Sequence, residues 1–252
     1  MKNLALITII MPVYNGAEYI SIAIDSVVSQ SYVNWKLIIV NDGSTDLTAT
    51  IVQKFIDDDS RISLVNNMGL KGAAGARNYG MSLSDGDFVA FIDSDDVWHP
   101  DKLKSQIELL QKEDSDFSYT SYEIIDSNGL NCKQTYIVPE RLTLDQMLKQ
   151  NLIGCSTVVI SKEIASNYSF SSDFYHEDYC LWLRLLNDGH KAVGCTQPLV
   201  KWRLIAGSRS FNKFNSAISR WKIYRKQIGM SFAKSLKYFI FYVFNGICKY
   251  SK

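Results

Sequence analysis

Histidine is almost missing from this chain of 252 residues: there are three, His99, His176 and His190. They do not stand at zinc-ligand spacing, which argues against a histidine-built zinc centre. The five cysteines (Cys132, Cys155, Cys180, Cys195 and Cys248) are odd in number and form no C-x-x-C pair. That pattern speaks against a disulfide framework and fits a reducing compartment, with a buried free thiol expected at each position. There is no Walker A loop, and no G-x-G-x-x-G follows a strand, so the usual phosphate cradles are lacking. Residues 69–75 are glycine-rich but match neither pattern. No apolar run is long enough for a clear membrane-spanning helix. Residues 4–13 are apolar and follow Lys2, but they lack a small-residue cleavage site and run into Pro12-Val13-Tyr14-Asn15. They read as a first buried strand rather than a signal peptide. Repeats, low-complexity segments and interdomain linkers are also absent. The sharpest absence is of acid at one end. Residues 201–252 hold twelve Lys or Arg and no Asp or Glu, leaving 15 basic and 26 acidic side chains elsewhere, although the overall charge is only +1. A basic tail beside an acidic body points to an anionic partner for the tail alone.

What is present is an ordinary globular composition, 46% apolar and 21% charged, in a chain long enough to bury a sizeable core. The first 95 residues alternate strand and helix. Strands are expected at 4–11, 35–40, 62–65 and 88–92. Helices lie between them, the first running to about Gln30 behind a capping-box pattern of Asn15 and Glu18, the second capped by Thr45 or Asp46, the third carrying Arg77. Alternation of this kind implies a parallel sheet with helices on its faces. Ligands of such sheets bind beyond the carboxyl ends of the strands, where Tyr14, Asp42, the Gly69 loop, Asp93 and Asp95 all fall. The second half is less regular. Helices are expected at 103–110, 142–150, 178–187 and 211–228. Extended segments are expected at 117–125, 132–138, 157–160 and 192–202, with Asp126-Ser127-Asn128-Gly129 as a hairpin turn.

The chemistry concentrates where the strand Phe88-Val89-Ala90-Phe91-Ile92 stops in Asp93-Ser94-Asp95-Asp96. Two carboxylates two residues apart can hold one small hard cation, Mn²⁺ or Mg²⁺, whose open positions a diphosphate fills. The plainer reading is a polar turn in which Asp95 or Asp96 caps the helix beginning near Pro100-Asp101.

Five segments occur in order: Ile9-Ile10-Met11-Pro12-Val13-Tyr14-Asn15, Val40-Asn41-Asp42-Gly43-Ser44-Thr45-Asp46, Ala76-Arg77-Asn78, Asp93-Ser94-Asp95-Asp96 and Glu177-Asp178-Tyr179-Cys180-Leu181-Trp182-Leu183-Arg184. The set closely resembles the inverting family 2 glycosyltransferases of bacterial surface-polysaccharide assembly, over residues 5–210. The resemblance implies an α/β GT-A (nucleotide-diphospho-sugar transferase) fold, with a mostly parallel central sheet flanked by helices. It divides the chain into a transferase domain at 1–210 (a nucleotide-binding half at 1–95 and an acceptor half at 96–210) and a basic tail at 211–252. It implies Pro12, Tyr14 and Asp42 at the nucleobase, Arg77 at the base or phosphate, Asp93 at the ribose or metal and Asp95 on a Mn²⁺ or Mg²⁺ that bridges the diphosphate. A tyrosine face can stack on a base, and a carboxylate can accept from the uracil N3–H. Asp178 would be the general base that takes the proton from an acceptor hydroxyl, with Glu177 orienting the acceptor. Acids in the first turn of a helix are also favoured by its dipole, with no catalytic role required.

The segment from Trp202 to Ser210 resembles the family's late Tyr-Arg-x-His-x-x-Ser loop over the diphosphate. Trp202 replaces the tyrosine and Ile205 the histidine, so Arg203, Ser208 and Arg209 would be left to meet the phosphates. The implied activity moves a sugar from a nucleotide-sugar donor, UDP-linked by expectation, to a hydroxyl of a lipid-linked glycan. A sugar nucleotidyltransferase is a second reading, but the glycine-rich N-terminal phosphate loop it needs is absent. A non-catalytic nucleotide- or sugar-binding module is a third.

The tail from 231 to 252 mixes Lys with Phe, Tyr, Leu and Ile, a composition suited to a helix lying among lipid headgroups. A helix packed on the body is the alternative. A nucleic-acid partner is not expected, because no recognised motif accompanies the charge. The expected location is cytoplasmic, peripheral on the inner face of the plasma membrane.

Overall fold

The computed structural model describes residues 4–205 and 213–250. Its centre is β1 (Ile7–Val13), seven residues buried without exception. A strand covered on both faces needs an unbroken apolar run, and β1 supplies one. It pairs in parallel with β2 (Trp35–Asn41) on one side and β4 (Phe88–Phe91) on the other, and β3 (Ile62–Asn66) extends the sheet beyond β2. The crossovers are α1 (Ile20–Val28), α2 (Thr48–Asp58) and α3 (Ala73–Ser82).

Past β4 the sheet changes character. After β5 (Val97–Trp98) and α4 (Lys102–Glu113) come β6 (Phe117–Ile125), β7 (Asn131–Tyr136), α5 (Leu144–Lys149) and β8 (Val159–Ser161). Then follow α6 (Lys162–Asn167), α7 (Glu177–Asn187) and β9 (Ala192–Arg203). The strand order is β3-β2-β1-β4-β8-β6-β9-β5, with β7 hanging from β6. The strands β1, β2, β3, β4, β6 and β9 run one way and β5, β7 and β8 the other, so the sheet is mostly parallel with antiparallel insertions.

Alternation along β1 assigns the two faces. Ile7, Ile9 and Met11 pack with Ala23 and Ile24 of α1 and with Leu103 and Ile107 of α4. Ile10 points the other way, into a core shared with Ala76 of α3 and with Tyr179 and Trp182 of α7. The helices therefore cover both faces, as the period-2 pattern of a doubly buried strand requires.

The tail is not a free appendage. Ile223 and Tyr224, in a π-helical turn after α8 (Lys213–Lys222), are fully buried in the α7-side core, and Tyr238 and Phe239 of α9 (Phe232–Tyr250) pack against it. The Tyr238 hydroxyl donates to Asp145 Oδ1 of α5 at 2.8 Å. Of the two tail readings, packing on the body holds for one face of α9.

Several local expectations need correction. Asn15 and Glu18 form no capping box: α1 begins at Ile20 without a side-chain cap, and Asn15 adopts φ 50° and accepts from the Thr45 backbone N–H at 2.8 Å. Neither Asp95 nor Asp96 caps α4, whose cap residue is Asp101. Among the cysteines, Cys155 and Cys180 are buried free thiols, but Cys132 is exposed and Cys195 half-buried, while Cys248 lies outside the described side chains. Helix α6, the short β5 and the 3-10 turn Cys155–Thr157 carry no sequence signal strong enough to predict.

Candidate active site

The carboxyl ends of β1, β2 and β4 open into a cleft of about 770 Å³, and the start of α7 forms its opposite wall. Pro12, Tyr14, Asp42, Arg77, Asp93, Asp95, Glu177, Asp178 and Arg203 all line it. Ser208 and Arg209 lie outside the described residues.

At the first end Tyr14 stands just past β1, 63% exposed, with its ring free to meet a planar ligand. Asp42 follows β2. Its Oδ1 accepts from Asn67 Nδ2 at 2.6 Å and its Oδ2 from the Gly72 N–H at 2.7 Å, fixing the carboxylate while leaving lone pairs for a further donor. The glycine-rich loop between them is a packing device. A Cβ on Gly75 would sit 1.7 Å from the Leu70 carbonyl oxygen, so only glycine lets the loop close on the first turn of α3.

In the middle, the chain after β4 makes a tight acidic turn. Its buried member is Asp96, 1% exposed: Oδ2 accepts from Ser156 Oγ at 2.5 Å and Oδ1 from the Arg203 backbone N–H at 2.9 Å. Ser156 Oγ also accepts from the Asp93 N–H at 3.0 Å, so one hydroxyl pins two residues of the turn. Burial, then the neighbouring Asp95 and Asp93, push the Asp96 carboxyl well above its ordinary range. With Asp96 turned inward, Asp93 and Asp95 remain at the cleft. Burial, followed by the charge of Asp93, raises the Asp95 carboxyl from 3.8 to about 6. Among the described residues no cation forms an ion pair with Asp95, and no cluster of three or more metal-ligating side chains exists. A poorly compensated carboxylate beside a second one is a donor set that suits a divalent ion completed by phosphate oxygens.

Arg203 was expected at the diphosphate. Its Nε donates to the Asp95 carbonyl oxygen at 2.8 Å, its Nη1 donates to the carbonyl oxygens of Asp126 and Ser127 at 3.1 and 3.2 Å, and its guanidinium lies 4.6 Å from the Tyr19 ring centre. In this arrangement it ties the acidic turn to the β6–β7 hairpin.

At the far end, α7 begins with Glu177 and Asp178 in its first turn, where its dipole favours anions. Asp178 Oδ1 accepts from the Tyr179 N–H at 2.7 Å. Burial, then Glu177, raise its carboxyl from 3.8 to about 6, while Arg77 pulls it down. Arg77 itself, on α3 and only 4% exposed, lies in the cleft wall with its guanidinium engaged by acids. Its Nη2 donates to Asp93 Oδ1 at 2.6 Å and its Nη1 to Glu177 Oε1 at 2.9 Å, bridging the two acidic clusters. Cys155 lies buried on the same wall, its thiol held well above the ordinary range by burial, although Arg77 lowers it, which makes it an inert lining group.

Ser156 and Cys155 escaped sequence reasoning because a lone Ser or Cys in an irregular segment has no pattern. Asp96 was visible only as the third acid of a run.

Comparison with known proteins agrees with this geometry. A model of Glycosyl transferase family 2 matches residues 8–167. The chain is 40% identical over 248 residues (98% of this chain, 95% of the relative) to the Escherichia coli UDP-Glc:alpha-D-GlcNAc-diphosphoundecaprenol beta-1,3-glucosyltransferase WfgD. It is 37% identical over 244 residues (97% of each) to the putative teichuronic acid biosynthesis glycosyltransferase TuaG of Bacillus subtilis. Among solved structures, S. aureus TarS 1-349 in complex with UDP-GlcNAc superposes with a TM-score of 0.75 at 18% identity, covering 94% of this chain and 71% of TarS. The mannosyltransferase PcManGT of Pyrobaculum calidifontis, in complex with GDP-Man and Mn²⁺, gives 0.71 at 17%, covering 91% and 66%. The fold is that of these transferases, and the chain belongs to glycosyl transferase family 2.

Proposed function

We propose that the chain transfers a hexose, with inversion, from a UDP-sugar to a hydroxyl of a lipid-diphosphate-linked glycan during surface-polysaccharide assembly of the O-antigen or capsule type. The observation that carries this is the single cleft shared by Tyr14 and Asp42, by Asp93 and Asp95, and by Asp178. The Tyr14 ring stacks on the uracil, and Asp42 accepts from its N3–H. Asp93 and Asp95 would hold Mn²⁺ or Mg²⁺, which would supply positive charge against the departing diphosphate. Asp178 accepts the proton of the acceptor hydroxyl. That oxygen bonds to the anomeric carbon from the face opposite the donor diphosphate, the carbon–oxygen bond to the diphosphate breaks, and UDP leaves with the electron pair. One displacement inverts the centre, so no enzyme nucleophile is required. A carboxyl poised near 6 is ionised at neutral pH yet more basic than an ordinary aspartate, which suits a general base. The named activity of the E. coli relative supports glucose as the sugar and a diphosphoundecaprenol-linked acceptor.

A panel of UDP-sugars with Mn²⁺ and a lipid-diphosphate acceptor tests the reading. UDP-glucose should turn over, and Asp178→Asn should lower kcat by ~10²–10⁴-fold with UDP affinity unchanged. Turnover retained by that variant would refute the assignment.

We further propose peripheral attachment to the cytoplasmic face of the membrane, where such an acceptor is embedded. The support is the outward face of α9. Leu236, Ile240, Val243 and Phe244 follow one another at helical spacing, with Ile240 60% and Phe244 64% exposed, and Lys234 and Lys237 lie exposed beside them. None of the described helices is long and apolar enough to cross a membrane, so α9 would lie flat among the headgroups. Ile240→Ser with Phe244→Ser should release the protein from anionic vesicles; co-sedimentation equal to wild type would count against attachment.

A further inference from the structure

Arg220 is a buried cation without an acid. It is 5% exposed on α8, its Nε and Nη1 have no hydrogen-bond partner, and among the described residues no carboxylate forms an ion pair with it. Its guanidinium is clamped between two rings, 3.7 Å from the centre of Tyr179 and 4.6 Å from the centre of Tyr242 on α9. Burying a charge this way is costly, and cation–π contacts offset only part of that cost. An apolar side chain of similar size would satisfy the core at least as well. Stability alone does not explain an arginine here.

Its neighbour across the ring does. The Tyr179 N–H is the group that holds the Asp178 carboxylate at 2.7 Å. The Tyr179 hydroxyl is anchored to the Met147 carbonyl oxygen at 3.0 Å, so the ring is fixed at its tip by α5 and on its face by Arg220. On the other side of Asp178, the Tyr175 N–H donates to Ser219 Oγ, the residue next to Arg220, at 3.0 Å. Helix α8 thus grips the chain on both sides of Asp178, and α9 closes behind it through Tyr242.

We propose that Arg220 is a positioning residue for Asp178: stacked between Tyr179 and Tyr242, it fixes the first turn of α7 so that the carboxylate faces the acceptor hydroxyl. This rests on Asp178 being the base. It extends the working site to α8 and α9, none of whose described residues lines the cleft.

Kinetics of Arg220→Met, with Asp178→Asn as reference, tests it. Met fills the space without charge or planarity. The expected result is a kcat lowered about tenfold or more, since a small misplacement of a catalytic group can cost ~10²-fold, with donor KM, UDP affinity and melting temperature close to wild type. Arg220→Lys, which keeps charge but cannot stack flat on two rings, should recover only part of the loss. An Arg220→Met enzyme with wild-type kcat overturns the inference while an inactive Asp178→Asn leaves the site reading standing; an active Asp178→Asn overturns both. Should Arg220→Met fail to fold, Tyr242→Leu opens the clamp from the outside. It should lower kcat several-fold with donor KM unchanged, and unaltered kcat would overturn the proposal.

Discussion

The two walls of the cleft are built by opposite means. On the sheet wall, the proposed donor side, Tyr14 and Asp42 follow directly on β1 and β2 and Asp93 stands two residues past the end of β4, so the register of these strands places them. On the helix wall, the proposed acceptor side, Asp178 rides on a helix whose start is set by packing against α3, α5 and α8, and it faces the sheet wall across Arg77. Sheet register positions groups through many short hydrogen bonds. Helix packing positions them through a few side chains, which makes the second wall the more easily disturbed.

The most severe test of this contrast is Arg77→Gln. Removing the shared cation leaves Asp93 and Glu177 facing each other without compensation, and breaking a buried pair costs ~3–5 kcal/mol. Denaturant unfolding should show a loss of that size. A loss below ~1 kcal/mol would mean that the walls are held together without Arg77. Next comes Asp95→Asn. A carboxyl whose folded pKa of about 6 exceeds its ordinary 3.8 stabilises the fold fully below pH 4, and that contribution is lost as pH rises to about 6. The ligand-free variant should therefore be more stable than wild type at pH 7.5, by ~1–3 kcal/mol, while losing the Mn²⁺-dependent gain in UDP affinity. An unchanged melting temperature together with unchanged Mn²⁺ dependence would remove Asp95 from the site. The smallest effect is on the pH profile. With Asp178 poised near 6, kcat/KM should fall as pH drops below about 6, by about tenfold per unit. In Arg77→Lys, whose shorter stem and single ammonium replace the two-nitrogen bridge poorly, the fall should begin at higher pH, because Arg77 lowers the Asp178 pKa.

The same contrast explains what could be read from the chain. Strands β1 to β4 and their crossover helices follow from apolar periodicity and local turn chemistry, and the regular strand–helix alternation makes their pairings parallel. The residues that matter there, Tyr14, Asp42, Asp93 and Asp95, come at predictable strand ends. Beyond residue 96 the alternation stops and strand directions mix: β8 enters antiparallel beside β4, and β9 returns parallel to β6. Glu177 and Asp178 were legible as an acidic helix start, but the bridge between Glu177 and Arg77 spans 100 residues and left no pattern. Only the family resemblance implied that Arg77 reaches the base or phosphate; its burial between two acids depends on α7, which periodicity alone does not dock. Ser156 and Arg220 act through contacts that only the folded chain creates.

Arg203 joins parts of the molecule that would otherwise vary independently. Because its backbone N–H serves Asp96 and its side chain serves the turn at Asp126 and Ser127, the β6–β7 hairpin is wired to the acidic turn after β4, which we propose meets the donor. Anyone exchanging that hairpin between family members to redirect acceptor choice should transplant the turn and the arginine as one unit; a swapped ribbon that leaves the guanidinium without its carbonyls would alter donor handling as well.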